Sequence, residues 1–546
     1  MQNVVKRYET DVLVLGAGAA GCGAAIAAAR AGANVLLLDK GCLESSGSLG
    51  GGNDHFMCVL DQDEHDGLED IIKYYSTPIS GFSVWKAELF YQGMNECRRI
   101  LEDAGIELMH REDGSYLRSL GFGQPGAWWI HIDHGFTVKP RLAAYIRKLG
   151  VQVVENVQVT RLLKDHDRIA GCQGFHILTG ARVEISCKCA VMALGREAVR
   201  VSNNSTHKPF NTQPSPFVTG SQIVLSLDAG CTILGLDTQD AATLNPKGFG
   251  CSGLNGLNNM GGKEINAIGE RFMGRYDPHW ENCPRRNQVM GTFEETLLGS
   301  GPPFVMDMTH FSPEDARHLQ YDLMPGDKET FLDYAAARDI EFTRAPMEVE
   351  LSERCLGGII RCNDELETDV ANLYNACLLC SFSGSMSMGY QAGRFAAGRA
   401  AGLEMASLPE EADLAAFHEQ TFRPLVNKPE NAITYTEFED GLRQIMDYYV
   451  GFQRTDAGMR QALRSMDVLK EYEPRLGGDS LRDLMRLTES RELLRVSRLY
   501  VESCLERREN GRGLFICREY PPVSPEKDRP LAVRLDEHGQ SVFSWN

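Results

Sequence analysis

The 546-residue chain is 43% hydrophobic and 24% charged, which supplies apolar surface for roughly two to four cores and excludes a small binding module or wholesale disorder. Asp and Glu number 75 against 56 Lys and Arg, and the formal charge of −19 repels a phosphate backbone, so nucleic acid is not an expected partner. The polar start shows no signal-peptide pattern, no apolar run reaches the roughly 18 residues of a membrane span, and the cysteines read as reduced thiols, so the cytoplasm is the expected compartment.

The first element is an apolar run at 11–15, suited to a buried parallel strand, which ends on Gly16-Ala17-Gly18-Ala19-Ala20-Gly21. An Ala-rich helix over 19–30 follows, with Gly32 at its C-cap, and then a strand at 34–38 that ends in Asp39. Gly16 allows the tight turn, Gly18 lets a pyrophosphate approach backbone N–H groups, and Gly21 lets helix and strand pack closely. The helix tip adds partial positive charge. Asp39, 18 positions after Gly21, stands where an acid accepts hydrogen bonds from an adenosine ribose. This order specifies a dinucleotide without choosing between FAD and NAD. The Ser/Gly-rich loop from Ser45 to Asn53 offers amides and hydroxyls to a polar ring edge or ribityl chain, and its composition equally suits a flexible linker.

Helices are expected over 88–105 and 140–149, the second begun by Pro140, and strands at 151–154, 157–160 and 190–194. The middle, rich in Gly, Asn and Pro, suits an inserted substrate-side domain. A short apolar strand and a Ser/Gly turn then lead to a small-residue helix start at Gly389, and heptad-like stretches at 442–449 and 481–505 predict a helical bundle with solvated charged faces.

The dinucleotide motif, Asp39-Lys40 and the loop Ser46-Gly47-Ser48-Leu49-Gly50-Gly51-Gly52 resemble the flavoprotein subunits of fumarate reductase, succinate dehydrogenase and adenylylsulfate reductase. Gly269-Glu270-Arg271-Phe272-Met273-Gly274-Arg275-Tyr276 and the late strings Arg507–Gly513 and Arg518–Pro521 carry the resemblance along most of the chain. It implies an α/β fold: a Rossmann-like FAD-binding domain over 1–230 and 353–405, an inserted α+β capping domain over 231–352, a helical domain over 406–510 and a tail over 511–546. It also implies FAD held by Gly16, Gly18, Ala19, Ala20, Gly21, Asp39, Lys40, Ser46, Gly47, Ser48, Gly51, Gly52, Val157, Ala193, Gly195, Ser385 and Ser387. Where succinate dehydrogenase has a His bound covalently to FAD, this chain has Gly47, so non-covalent FAD is implied.

A flavin exchanges hydride with a substrate carbon, and reducing an activated alkene also needs a proton. In the family an Arg beyond the Gly-Glu-Arg-Phe string is the general acid, and an ungapped count reaches Arg286, preceded by Arg285, a second cation that would lower its proton affinity. Asn245 replaces one substrate-holding His of the family and Glu353 another, and both are expected to face the substrate. The third carboxylate ligand has no counterpart in 382–388, which argues against plain fumarate reduction. Lys247–Gly253 and Trp128 are similar to adenylylsulfate reductase, yet the Arg by which that enzyme grips its nucleotide falls on Leu244 and its His on Glu353. Cys377-Leu378-Leu379-Cys380 replaces a family acid.

Cys355, Cys362, Cys377 and Cys380 fit no ferredoxin or zinc-ribbon spacing, so they read as buried small apolar residues and no metal is expected. His131, Asp133 and His134 read as a hydrogen-bonded loop. The expected function is an FAD-dependent oxidoreductase that passes hydride between flavin and a small polar substrate, its electrons exchanged with an iron–sulfur subunit or a soluble carrier. Adenylylsulfate reductase chemistry on sulfite and AMP, or a non-catalytic electron-transfer subunit, are the alternatives, and an oligomer stays open.

Overall fold

A computed structural model describes residues 4–76, 82–204, 206, 208–212, 214–241, 244–250, 254–510 and 515–546, so 251–253 and 511–513 of the strings above lie outside the described residues. Val5–Leu15 form β1, Ala19–Arg30 form α1 and Val35–Leu38 form β2. β1 outruns its apolar segment because its polar first half is hydrogen-bonded to a neighbouring strand.

Gln152–Val154 (β3), Val157–Asp165 (β4), Arg168–His176 (β5), Arg182–Met192 (β6) and Leu373–Asn375 (β7) complete a 7-stranded sheet of order β3-β2-β1-β6-β5-β4, with β7 also on β6. β1, β2, β3, β6 and β7 run parallel, while β4 and β5 form an antiparallel extension. One edge of β6 is shared: β5 pairs with 182–186 and β7 with 190–192. The carboxyl ends of β1, β2, β6 and β7 thereby converge, the place where open α/β sheets bind ligands.

The run at 12–15 is apolar throughout because both faces of β1 are covered. Val12 and Val14 pack on the side of α1, Val84–Asp103 (α2) and Phe382–Ala400 (α3). Leu13 and Leu15 pack on the side of helices Ser221–Ala229 and Leu481–Arg507. α3 begins at Phe382, not at Gly389. Gly389 and Gly393 are contact points within it, where a Cβ would overlap the backbone of Ala20 and Ala24 on α1.

The chain enters and leaves the inserted segment through paired strands, Gln239–Ala241 antiparallel to Arg354–Gly357. Beyond them a 4-stranded sheet, ordered Leu244–Pro246, Met347–Leu351, Phe304–Asp307 and Lys263–Ile265, closes over its own core of Phe272, Met306, Phe331 and Phe342. A second sheet sits beside this crossing: Ile233–Leu234 lies between Ile359–Ile360 and Leu531–Leu535, and the latter turns back as Ser541–Trp545.

The bundle comprises Glu411–Val426, Tyr435–Tyr449, Asp456–Glu471 and Leu481–Arg507, with capping boxes at Thr434 and Ser480. Its longest helix departs from the expected solvated charged face: Arg486, Glu489 and Glu492 are buried against the nucleotide-binding sheet. No helix among the described residues is long and apolar enough to cross a membrane.

Candidate active site

A cavity of about 650 Å³ extends from the tip of α1, past the ends of β1, β2 and β6, to the inserted segment. Gly16, Gly18, Ala19 and Ala20 line its diphosphate end. Gly16 adopts φ +100°, and a Cβ there would overlap the Ala193 carbonyl. Around Gly18 the nearest atom to a Cβ position is Gly47 Cα at 3.8 Å, so its backbone faces open space. Gly21 stands behind the wall, where a Cβ would overlap the Gly16 carbonyl oxygen. Lys139, fully buried, donates to Ala17 O and lies 3.5 Å from Cys22 Sγ, which places a cation beneath the glycine turn. Sequence reasoning missed it because only the tertiary fold brings its helix under that turn.

Beside this turn, towards the adenosine end, Asp39, Lys40 and Val157 line the wall. The Asp39 carboxylate accepts from Ala17 N and Gly41 N, both at 2.6 Å, and retains lone pairs for a further donor. Lys40 donates to Glu489 at 2.7 Å, and Glu489 also accepts from Arg200 at 3.1 Å and Arg486 at 2.6 Å. Burial alone would raise this carboxyl, but Lys40, Arg200 and Arg486 hold it down to about 2. None of these long-range partners was among the sequence candidates.

The same wall carries Ser46, Gly47, Ser48, Gly51, Gly52, Ala193, Gly195 and Ser385. Ser46 donates to Ala17 O at 3.1 Å, and Ser48 Oγ accepts from Ser215 N at 3.1 Å. Gly47, at φ +74°, backs onto Gly18 so closely that a Cβ would come within 2.8 Å of Gly18 Cα. Ser385 donates to Leu379 O at 2.8 Å near the tip of α3, whose N-cap Ser381 accepts from Gly384 N at 3.0 Å. Ser387 lies outside the wall, because its turn of α3 is buried against Gly93 of α2.

The end nearest the inserted segment departs from the sequence expectation. Arg285, the first residue of helix Arg285–Leu298, lines the cavity, whereas Arg286 is exposed and does not. The Arg285 guanidinium lies 4.5 Å over the Phe122 ring and makes no hydrogen bond or ion pair among the described residues. Asn245 and Glu353 are buried outside the wall, Asn245 in a strand opposite Glu350 and Glu353 just before the crossing strand. In their stead stand Lys328, whose ammonium donates to Gly250 O, and His55. His55 has Nδ1 on the buried Asp54 carboxylate and its ring edge-on to Trp129 at 4.6 Å. Nearby His131 bonds to Ser119 at 3.1 Å, and burial pushes its ring down to about 4, so it stays neutral at pH 7.

Cys355, Cys377 and Cys380 also line the cavity. Cys380 departs from the buried-apolar reading, being exposed there.

The sequence profile of the FAD binding domain family matches residues 11–412. One subunit of the fumarate reductase (CoM/CoB) of Methanothermobacter marburgensis is 24% identical over 98% of this chain and 99% of its own length. In fold the chain is similar to adenylylsulfate reductase from Archaeoglobus fulgidus, with TM-score 0.87 and 20% identity over 100% of this chain and 96% of that one. It is also similar to E. coli quinol fumarate reductase, with TM-score 0.83 and 19% identity over 99% and 97%. Because the family match spans the sheet, the inserted segment and α3 alike, this chain belongs to the FAD binding domain family and is an FAD-dependent oxidoreductase.

Proposed function

We propose that the chain reduces or oxidises a small anionic substrate held between the non-covalently bound cofactor and the inserted segment, with Arg285 as its proton donor. Bound FAD supplies hydride chemistry. The observation that carries this reading is Arg285 itself, a cavity-lining cation uncommitted to any acid among the described residues, with Lys328 a second cation in the same wall. Two cations in one wall attract a carboxylate or similar anion. His55, oriented by Asp54, is the adjacent imidazole. Gly47 leaves no room for a side chain towards Gly18, which supports a cofactor held without a covalent bond.

Adenylylsulfate reductase chemistry is less well supported. Leu244 is fully buried in the inserted core and Glu353 lies outside the wall, so the positions expected to grip its nucleotide do not reach the cavity. Electrons are proposed to come from an iron–sulfur partner or a soluble carrier, in keeping with relatives whose names mark them as subunits.

The test is to photoreduce the bound flavin and follow its reoxidation by fumarate, by other unsaturated carboxylates, or by sulfite with AMP. Reoxidation by an unsaturated carboxylate is expected. Arg285→Met should slow it by roughly 10²–10⁴, the usual contribution of a positioned acid, while Arg286→Met leaves it nearly unchanged. Full turnover in Arg285→Met would remove the assignment, and a response to sulfite with AMP alone would favour the other chemistry.

A further inference from the structure

We propose that Cys377 and Cys380 form a redox-active dithiol opening on the FAD cavity, with a small disulfide as its substrate. This goes beyond hydride transfer and does not depend on it.

Among the described residues only Cys42 and Cys380 are exposed cysteines, and both line the cavity. Their partners carry opposite charge. Cys42 Sγ lies 2.8 Å from the Glu44 carboxylate, and that hydrogen bond pushes the Cys42 thiol up. Cys380 Sγ lies 2.8 Å from Arg196 Nη2. A guanidinium on the sulfur favours the thiolate, which is the nucleophilic form. Arg196 also donates to Leu378 O at 3.3 Å, so it is fixed to the segment between the two cysteines. Cys380 directly precedes the N-cap of α3, a 19-residue helix whose amino end adds partial positive charge.

Cys377 differs. It is buried, and burial pushes its thiol up to about 11, so it stays protonated near neutral pH. Around the bend at Leu378 it lines the same cavity. The chemistry divides accordingly. The Cys380 thiolate attacks one sulfur of the disulfide, forming a mixed disulfide and expelling one thiolate. Cys377 then attacks Cys380 Sγ, expels the second thiolate and gives up its proton. A Cys377–Cys380 bond has formed, the substrate S–S bond has broken, and the two electrons lost by the protein dithiol reside on the two product thiols.

The experiment treats holoenzyme near neutral pH with oxidised glutathione, then quenches by alkylation and maps the peptides. The wild type should acquire a Cys377–Cys380 disulfide. Cys377→Ser should stop at a glutathione adduct on Cys380. Arg196→Gln should slow the first step about tenfold, and Cys42 should react at least about tenfold more slowly than Cys380. Reaction of Cys42 as fast as Cys380, no reaction at Cys380, or an unchanged rate in Arg196→Gln would overturn the proposal. A glutathione adduct that persists on Cys380 in the wild type would overturn the resolving role of Cys377.

Discussion

Gly21→Ala is expected to yield a folded protein that purifies with less than about a tenth of the wild-type FAD. Replacing a helical Gly by Ala ordinarily stabilises by about 0.5–1 kcal/mol. Here the added Cβ would overlap the Gly16 carbonyl oxygen, a backbone atom rather than the end of a flexible side chain. Gly16 N is itself bonded to Leu38 O at 2.8 Å, and a Cβ at Gly16 would overlap the Ala193 carbonyl, so the turn is packed on that side as well. Overpacking of this kind costs about 1–3 kcal/mol and outweighs the propensity gain. The strain is relieved only by moving α1 away from β1, which displaces the amides meant for the diphosphate. About 1.4 kcal/mol is a tenfold change in affinity. Gly398→Ala, on exposed α3 surface with nothing within 4 Å, is the matched control and should be neutral or slightly stabilising. The ratio of flavin to protein absorbance decides, and equal ratios for both variants would count against the cradle.

Glu489→Gln should be the most destabilising single change at the adenosine end. The wild-type carboxylate is buried and accepts from Lys40, Arg200 and Arg486. Removing its charge leaves these cations with one acid fewer; breaking a buried pair in this way costs about 3–5 kcal/mol. The sign of the pH effect follows from the same contacts. With its folded value near 2 against an ordinary 4.5, Glu489 contributes stability above pH 4.5 that is lost as pH falls towards 2. Urea unfolding between pH 3 and pH 7 should show that loss in the wild type and a flatter curve in Glu489→Gln. Equal midpoints at pH 7 would show that the network adds no net stability.

Much of the nucleotide-binding part was legible because its signals are local. The run at 11–15, the glycine turn, the Ala-rich helix and Asp39 each dictate their own conformation, and Gly18 and Asp39 reach the cavity by that conformation alone. The start of α3 was misread because 381–389 is a Ser/Gly-rich string of low helix propensity. Packing on α1, which admits only small residues at 389 and 393, overrides that propensity. The placing of Arg285 rather than Arg286 in the wall is a matter of one residue. Successive positions on a helix point about 100° apart, so a count along the sequence cannot say which of two arginines faces inward. His55, Lys139 and Glu489 became visible only once distant strands and helices had assembled around them.

The strand at Leu531–Leu535 seals the sheet that flanks both passages of the chain into and out of the inserted segment. On the ribosome, where elongation proceeds at roughly 5–20 residues per second, Ile233–Leu234, paired on one side with Ile359–Ile360, must therefore wait with its other edge bare until this strand emerges.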